Sequence, residues 1–381
     1  MRPALLLATL AIAASAEAQF TLQTSNTTAD LRGIHNVGNG VAWASGTQGT
    51  VLRTEDGGYV WQSCTIPPGA EKLDFRGVQA FDANTAIVMS SGPGDQSRLY
   101  KTTDGCHSWK LLFTNPYKDG FWDAVQFSDP THGFILGDPV EITTVLKRFE
   151  LAQTYDGGEH WKLWEKTTSE LATPSEGYCA FAASNSSLAV KGLTAIYASG
   201  CKGGARVFTA QNGPEHPGFC DCSPMPSEEV WNDTLHFSMS SRGPFPGNDT
   251  GGIFSIAYGH DGIVAVGGDF KEPDFGPQSA AILSFQSPET WTAANTPPHG
   301  YRSSVAYDEE TKTWITVGPN GTDISIDDGR NWRPVHPSAA LHEPEDADLN
   351  WNALSLPYVV GPKGRIGRLD AAALQPAKPH R

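Results

Sequence analysis

One frame narrows what this chain can fold into more than any other feature: Ser or Thr, Asp, a small residue and Trp at offsets 0, +2, +4 and +7. It occurs four times. The copies are Thr54, Asp56, Gly58 and Trp61; Thr102, Asp104, Cys106 and Trp109; Thr154, Asp156, Gly158 and Trp161; and Ser325, Asp327, Gly329 and Trp332. Their starts lie 48, 52 and 171 residues apart, and the last gap has room for two more copies. Two degenerate ones fall there: Thr209, Gln211 and Gly213 keep the frame without Asp or Trp, and Ser284 and Trp291 keep only its ends. A period near 50 residues is the signature of an array of like units.

Each full copy is preceded by short strand-like segments. In the first unit these are residues 31–34, 41–45 and 50–53, with 60–63 leaving the frame; in the second, 75–78, 85–89 and 98–101. Helical periodicity is nearly absent. A seventh unit, residues 349–354, 358–361 and 365–369, has three strands and no frame, while residues 20–24 form an unclaimed strand at the other end. The expectation is an all-β, seven-bladed β-propeller of four-stranded antiparallel blades, closed by the N-terminal strand completing the last blade. A solenoid would need capping units instead.

Residues 1–18 read as a signal peptide: basic Arg2, an apolar run over 4–14, and Ala16 and Ala18 as a small-x-small cleavage site. Residues 19–371 are then the propeller and 372–381 a disordered tail, in a chain expected to be periplasmic or secreted. No later stretch reaches the 18 apolar residues of a membrane span. A net charge of -15 argues against nucleic acid as a partner. Six cysteines, Cys64, Cys106, Cys179, Cys201, Cys220 and Cys222, are too few to be the scaffold and read as local staples of open connectivity. Cys220 and Cys222 lack a second ligand pair, so no metal is expected, and no phosphate loop, paired helical histidines or nucleophile elbow calls for a cofactor. Sequons at Asn26, Asn185, Asn232, Asn248 and Asn320 would matter only in a eukaryotic secretory pathway.

The four Asp residues of the frame invite a catalytic or calcium-binding reading. Equivalent positions on four blades cannot converge on one substrate, so Asp56, Asp104, Asp156 and Asp327 are expected to accept backbone N–H bonds about two residues ahead. Trp61, Trp109, Trp161 and Trp332 are expected to wedge between blades.

These frames resemble the Asp-box repeat shared by sialidases, other exported glycosidases and the photosystem II stability/assembly factor family. Residues 31–34, 41–54, 121–125 with 137–139, 252–256 with 266–270, and 300–305 with 317–321 are most similar to the last group and its non-photosynthetic bacterial relatives. That resemblance implies an exported propeller that binds a membrane-protein assembly intermediate through arginines on one face. The matching positions are Arg32, Arg76 and Arg302, whereas the third blade carries Trp122 and Asp123 there.

Residues that open the inner strands can converge on one mouth of a propeller although distant in sequence. Arg32, Arg76, Trp122, Asp123, Glu176, Tyr178, Arg302 and Trp351 are the candidates for that rim. Such a set could hold a carboxylate or a sugar, and with the resemblance the expectation is a protein partner bound by a monomeric, cofactor-free scaffold. The alternative is a sialidase-like hydrolase or glycan binder, in which three arginines grip a carboxylate, Tyr178 and Glu176 act as nucleophile and base, and Asp123 as acid.

Overall fold

A computed structural model describes residues 19–143, 146–164, 177–212, 235–287 and 290–370. Residues 1–18, expected to be a signal peptide, Glu176, Cys220 and Cys222, Gly213, Asn232 and the tail expected over 372–381 lie outside the described residues. The strands form seven four-stranded antiparallel sheets. Blade 1 comprises Leu31–Gly38, Val41–Gly46, Val51–Thr54 and Gln62–Ser63. Six sheets take their strands consecutively, and the seventh combines Ala353–Ser355, Tyr358–Val360 and Ile366–Leu369 with the N-terminal Phe20–Gln23, in register Phe20 to Leu369 and Gln23 to Ile366. The ring is therefore closed by the chain's first strand.

The inner strands are Leu31–Gly38, Phe75–Ala80, Trp122–Phe127, Leu188–Lys191, Gly251–Tyr258, Ser304–Asp308 and Ala353–Ser355, and each touches the next all the way round. Every sheet is covered on both faces, which is why middle strands such as Ala86–Ser90 and Thr313–Gly318 are buried along their whole length. Seven apolar clusters fill the seven gaps between adjacent blades, among them Leu31, Leu52, Tyr358 and Val360 between blades 7 and 1. Burial at about 25 cal/mol per Å² thus acts between blades, and holding the ring shut is a hydrophobic matter.

Each frame ties off a blade. The Thr54, Thr102, Thr154 and Ser325 hydroxyls donate to the Asp of their own frame and accept the N–H four residues on, at Gly58, Cys106, Gly158 and Gly329. The Asp carboxylate accepts from the residue four beyond it, Val60, Ser108, His160 or Asn331. That corrects the expected two-residue reach: the hydroxyl occupies the near amide, so the carboxylate serves the far one. The turn needs positive φ at the fifth position, 89° at Gly58, which glycine adopts at little cost. Trp61, Trp109, Trp161 and Trp332 each join the cluster shared with the preceding blade.

Cys64 and Cys106 form a disulfide joining blades 1 and 2, and Cys179 and Cys201 one beside blade 4. Asn185 is buried, so its sequon is closed to a glycan.

Candidate binding mouth

Four blades open with the same irregularity. In blade 1 Leu31 faces Gly46 and Gly33 faces Ser45, leaving Arg32 without a partner; Arg76, Asp123 and Phe254 are bypassed in the same way in blades 2, 3 and 5. A bulge of this kind re-aims one side chain out of the alternation. The glycine after each arginine permits it, since a Cβ on Gly33 would lie 2.6 Å from Ser45 Oγ and one on Gly77 2.8 Å from Asn185 Oδ1.

Arg32 and Arg76 thereby line one cavity of about 320 Å³ with Phe181, Phe254, Phe270, Tyr301 and Trp351. Asp74 lies beneath the pair. Its Oδ2 accepts from Arg76 Nε at 2.9 Å, and its Oδ1 stands 3.8 Å from Arg32 Nε, beyond hydrogen-bond range. Arg76 Nη1 also donates to the Ala182 carbonyl at 3.2 Å. Two guanidinium groups share one carboxylate, so the cavity keeps a positive charge in a strongly acidic chain. Phe181 and Phe254 stack face to face at 3.7 Å, and Tyr301 meets Phe254 edge-on at 4.7 Å. The Cys179–Cys201 disulfide holds the base of that wall, where Gly200 N donates to the Cys179 carbonyl, Cys201 N to that of Gly251 and Ile253 N to that of Ser199.

The remaining described candidates do not reach the cavity. Arg302 is fully buried: Nε donates to Asp323 Oδ2 at 2.8 Å, Nη2 bonds the same oxygen, and Nη1 donates to Asn320 Oδ1 at 2.6 Å. Trp122 is equally enclosed, donating from Nε1 to Glu150 Oε1 at 2.8 Å and stacking on Phe113. Tyr178 packs against Phe208 in the gap between blades 3 and 4, its hydroxyl accepting from Arg206. Asp123 points inward with Oδ2 unpartnered among the described residues. Burial, then the nearby Asp138, push its carboxyl well above the usual range, while Arg76 pulls the other way. Burial alone lifts Asp138 to about 6, against the N–H bond it accepts from Ala180.

The sequence reading missed the aromatic wall. Phe254 had a signal, since it follows Ile253 as Arg32 follows Leu31; Phe181, Phe270 and Tyr301 come from connections that no repeat frame predicts. Beneath the cavity the segment before Leu188–Lys191 crosses the ring axis. Asn185 accepts from Val125 N and donates to its carbonyl, Ser184 donates to the Ser303 carbonyl, and Ser186 reaches Ser255. These bonds close the channel, so the mouth is a cup with a floor.

No family model matches the chain, and no curated protein matches it either. Solved structures do. A structure of YCF48 bound to D1 peptide matches with a TM-score of 0.57 and 14% identity over 93% of this chain and 97% of that one. YCF48 from Cyanidioschyzon merolae gives 0.58 and 17%, over 92% and 99%. U3-55K gives 0.54 and 11%, over 92% and 98%. YCF48 is a photosystem II assembly factor, so the resemblance read from the repeat phrases and the structural likeness fall on the same protein. At these identities the likeness is one of fold, and the chain is a seven-bladed propeller similar to YCF48 along nearly its whole length.

Proposed function

We propose that this protein is an exported, monomeric, non-enzymatic binding propeller that holds an acidic, aromatic-bearing segment of a protein partner in the cup formed by Arg32 and Arg76. One observation carries the reading: two guanidinium groups over a single carboxylate, walled by five aromatic residues and floored by the plugged channel. Guanidinium gives a carboxylate bidentate hydrogen bonds, and the rings bury apolar side chains beside it. The peptide bound in one YCF48 structure supports a peptide-sized occupant for this fold. Two disulfides suit an oxidising compartment and therefore export. An assembly role with a membrane-protein intermediate extends the same reading.

The hydrolase alternative is less well supported. Its three-arginine clamp would need Arg302, which is spent on Asp323, and its nucleophile Tyr178 stands in a blade gap. The test is an array of immobilised peptides probed with the purified protein. Acidic peptides containing aromatic residues should be retained, and the Arg32→Ala/Arg76→Ala variant should lose them. Retention by the double variant, or turnover of an aryl-glycoside by the native protein, would overturn the proposal.

A further inference from the structure

At the far edge of blade 7, the carboxylate of Glu343 is buried in a loop against the first described residues, Gln19 and Phe20. Its Oε1 accepts the backbone N–H of Phe20 at 3.0 Å and that of Gln19, and its Oε2 accepts Ser338 N at 2.6 Å. Among the described residues it has no Lys, Arg or His partner. A buried carboxylate without a counter-charge is costly. The adjoining cavity of about 340 Å³ deepens the deficit, because Glu345 and Asp348 line it with Glu343, and its one basic group, His336, stands 3.5 Å from Asp348. This corner of the molecule calls for a cation at the position of the Gln19 nitrogen.

We propose that Glu343 is a binding site for a free α-ammonium group on Gln19, and that this ion pair latches the ring. The proposal rests on the export reading, in which a leader peptidase hydrolyses the Ala18–Gln19 bond. Water then supplies the hydroxyl of a new Ala18 carboxyl group and the hydrogen of a new Gln19 amine, which protonates. The amide already bonded to Oε1 becomes a full positive charge at the same place. Phe20 sits in the apolar gap between blades 6 and 7, and the Gln19 carbonyl accepts Asp370 N at 3.1 Å, so the start of the first strand is fixed around that charge. Processing would thus strengthen the closure that the first strand provides.

The test uses the protein purified from an exporting host and a second preparation with one serine inserted before Gln19, each with and without Glu343→Gln. Intact mass should place Gln19 first in the native chain. Its melting temperature should exceed that of the serine-extended chain by roughly 1–2 °C near pH 6.5, as expected for about 1 kcal/mol at an unfolding entropy of about 2 cal/mol/K per residue. The difference should vanish in Glu343→Gln. An amine paired with a carboxylate titrates above its ordinary value near 8, so the stabilisation should also be lost as pH rises past that point. Equal losses in both preparations on Glu343→Gln would overturn the latch. A first residue other than Gln19 would overturn the processing step and leave that carboxylate result to stand by itself.

Discussion

Arg32 and Arg302 open their blades in similar phrases and meet opposite fates. In blade 1 a bulge turns Arg32 into the mouth, where its nearest carboxylate is a shared one 3.8 Å away. In blade 6 Asp323, on the strand Gly321–Ser325, presents a carboxylate inside the sheet, and His299 and Asn320 complete a polar nest around the guanidinium. An arginine with a complete buried partner set becomes structure, and one left half-paired at a mouth is available to a ligand. Asp323 and Asp138 repeat the contrast among acids. Burial pushes both upward, but the His299 bond and the Arg302 charge bring Asp323 below its usual value, while Asp138 keeps the penalty.

The largest effect should come from breaking the closed set. Arg302→Ala strands the Asp323 carboxylate in the protein interior, where removal of one partner of a buried pair costs about 3–5 kcal/mol. Denaturant unfolding should register that loss, while the folded fraction still binds peptides normally. A cost below about 1 kcal/mol would mean that water reaches Asp323 and that the two arginine environments are alike. The Arg32→Ala/Arg76→Ala variant should show the reverse pattern in the same pair of measurements. Peptide affinity should fall tenfold or more, and stability should change by no more than about 1 kcal/mol, since exposed or half-exposed pairs contribute little. Equal damage to stability from both variants would erase the distinction.

A smaller effect separates the acids. Asp138→Asn keeps an oxygen to accept the Ala180 N–H while removing the charge. A carboxyl whose folded value is raised to about 6 favours folding below its unfolded value near 4 and loses that contribution as pH rises through 6. The variant should therefore gain of order 1–3 kcal/mol on the native protein at pH 8 and almost nothing at pH 4, by unfolding at the two pH values. A gain of the same size at both would trace to something other than ionisation.

The ring was legible in the sequence because its determinants are local and repeated. A hydroxyl, an Asp, a tight turn and a Trp fall within eight residues, and counting copies and the odd strands at both ends places closure in blade 7. The cup was half legible. Arg32, Arg76 and Trp351 could be placed by blade phase alone. Whether a blade-opening arginine faces the mouth depends on a bulge and on a carboxylate supplied from another strand, as with Arg302 and Asp323, and such pairings over 21 residues carry no repeat signal. Trp122, for the same reason, turned inward to Glu150 and Phe113. The plug at Ser184 to Ser186 was read as a mere sequon, because nothing local marks a loop that crosses the axis.

The finest version of the comparison lies in the frames themselves, where one residue type again has two environments. The Thr154 hydroxyl is buried, donates to Asp156 at 2.9 Å and accepts Gly158 N at 2.9 Å. Thr209 opens the degenerate frame in blade 4, and its hydroxyl is buried with no partner among the described residues. Replacing a satisfied hydroxyl by a methyl group leaves its partners orphaned, whereas replacing an unsatisfied one removes a desolvation cost. Thr154→Val should therefore cost about 1 kcal/mol, and Thr209→Val should be neutral or stabilising by a few tenths. Thermal melts of the two single variants decide it. A Thr209→Val loss matching that of Thr154→Val would mean that the degenerate frame still ties off its blade, and that the copies differ in sequence more than in what they do.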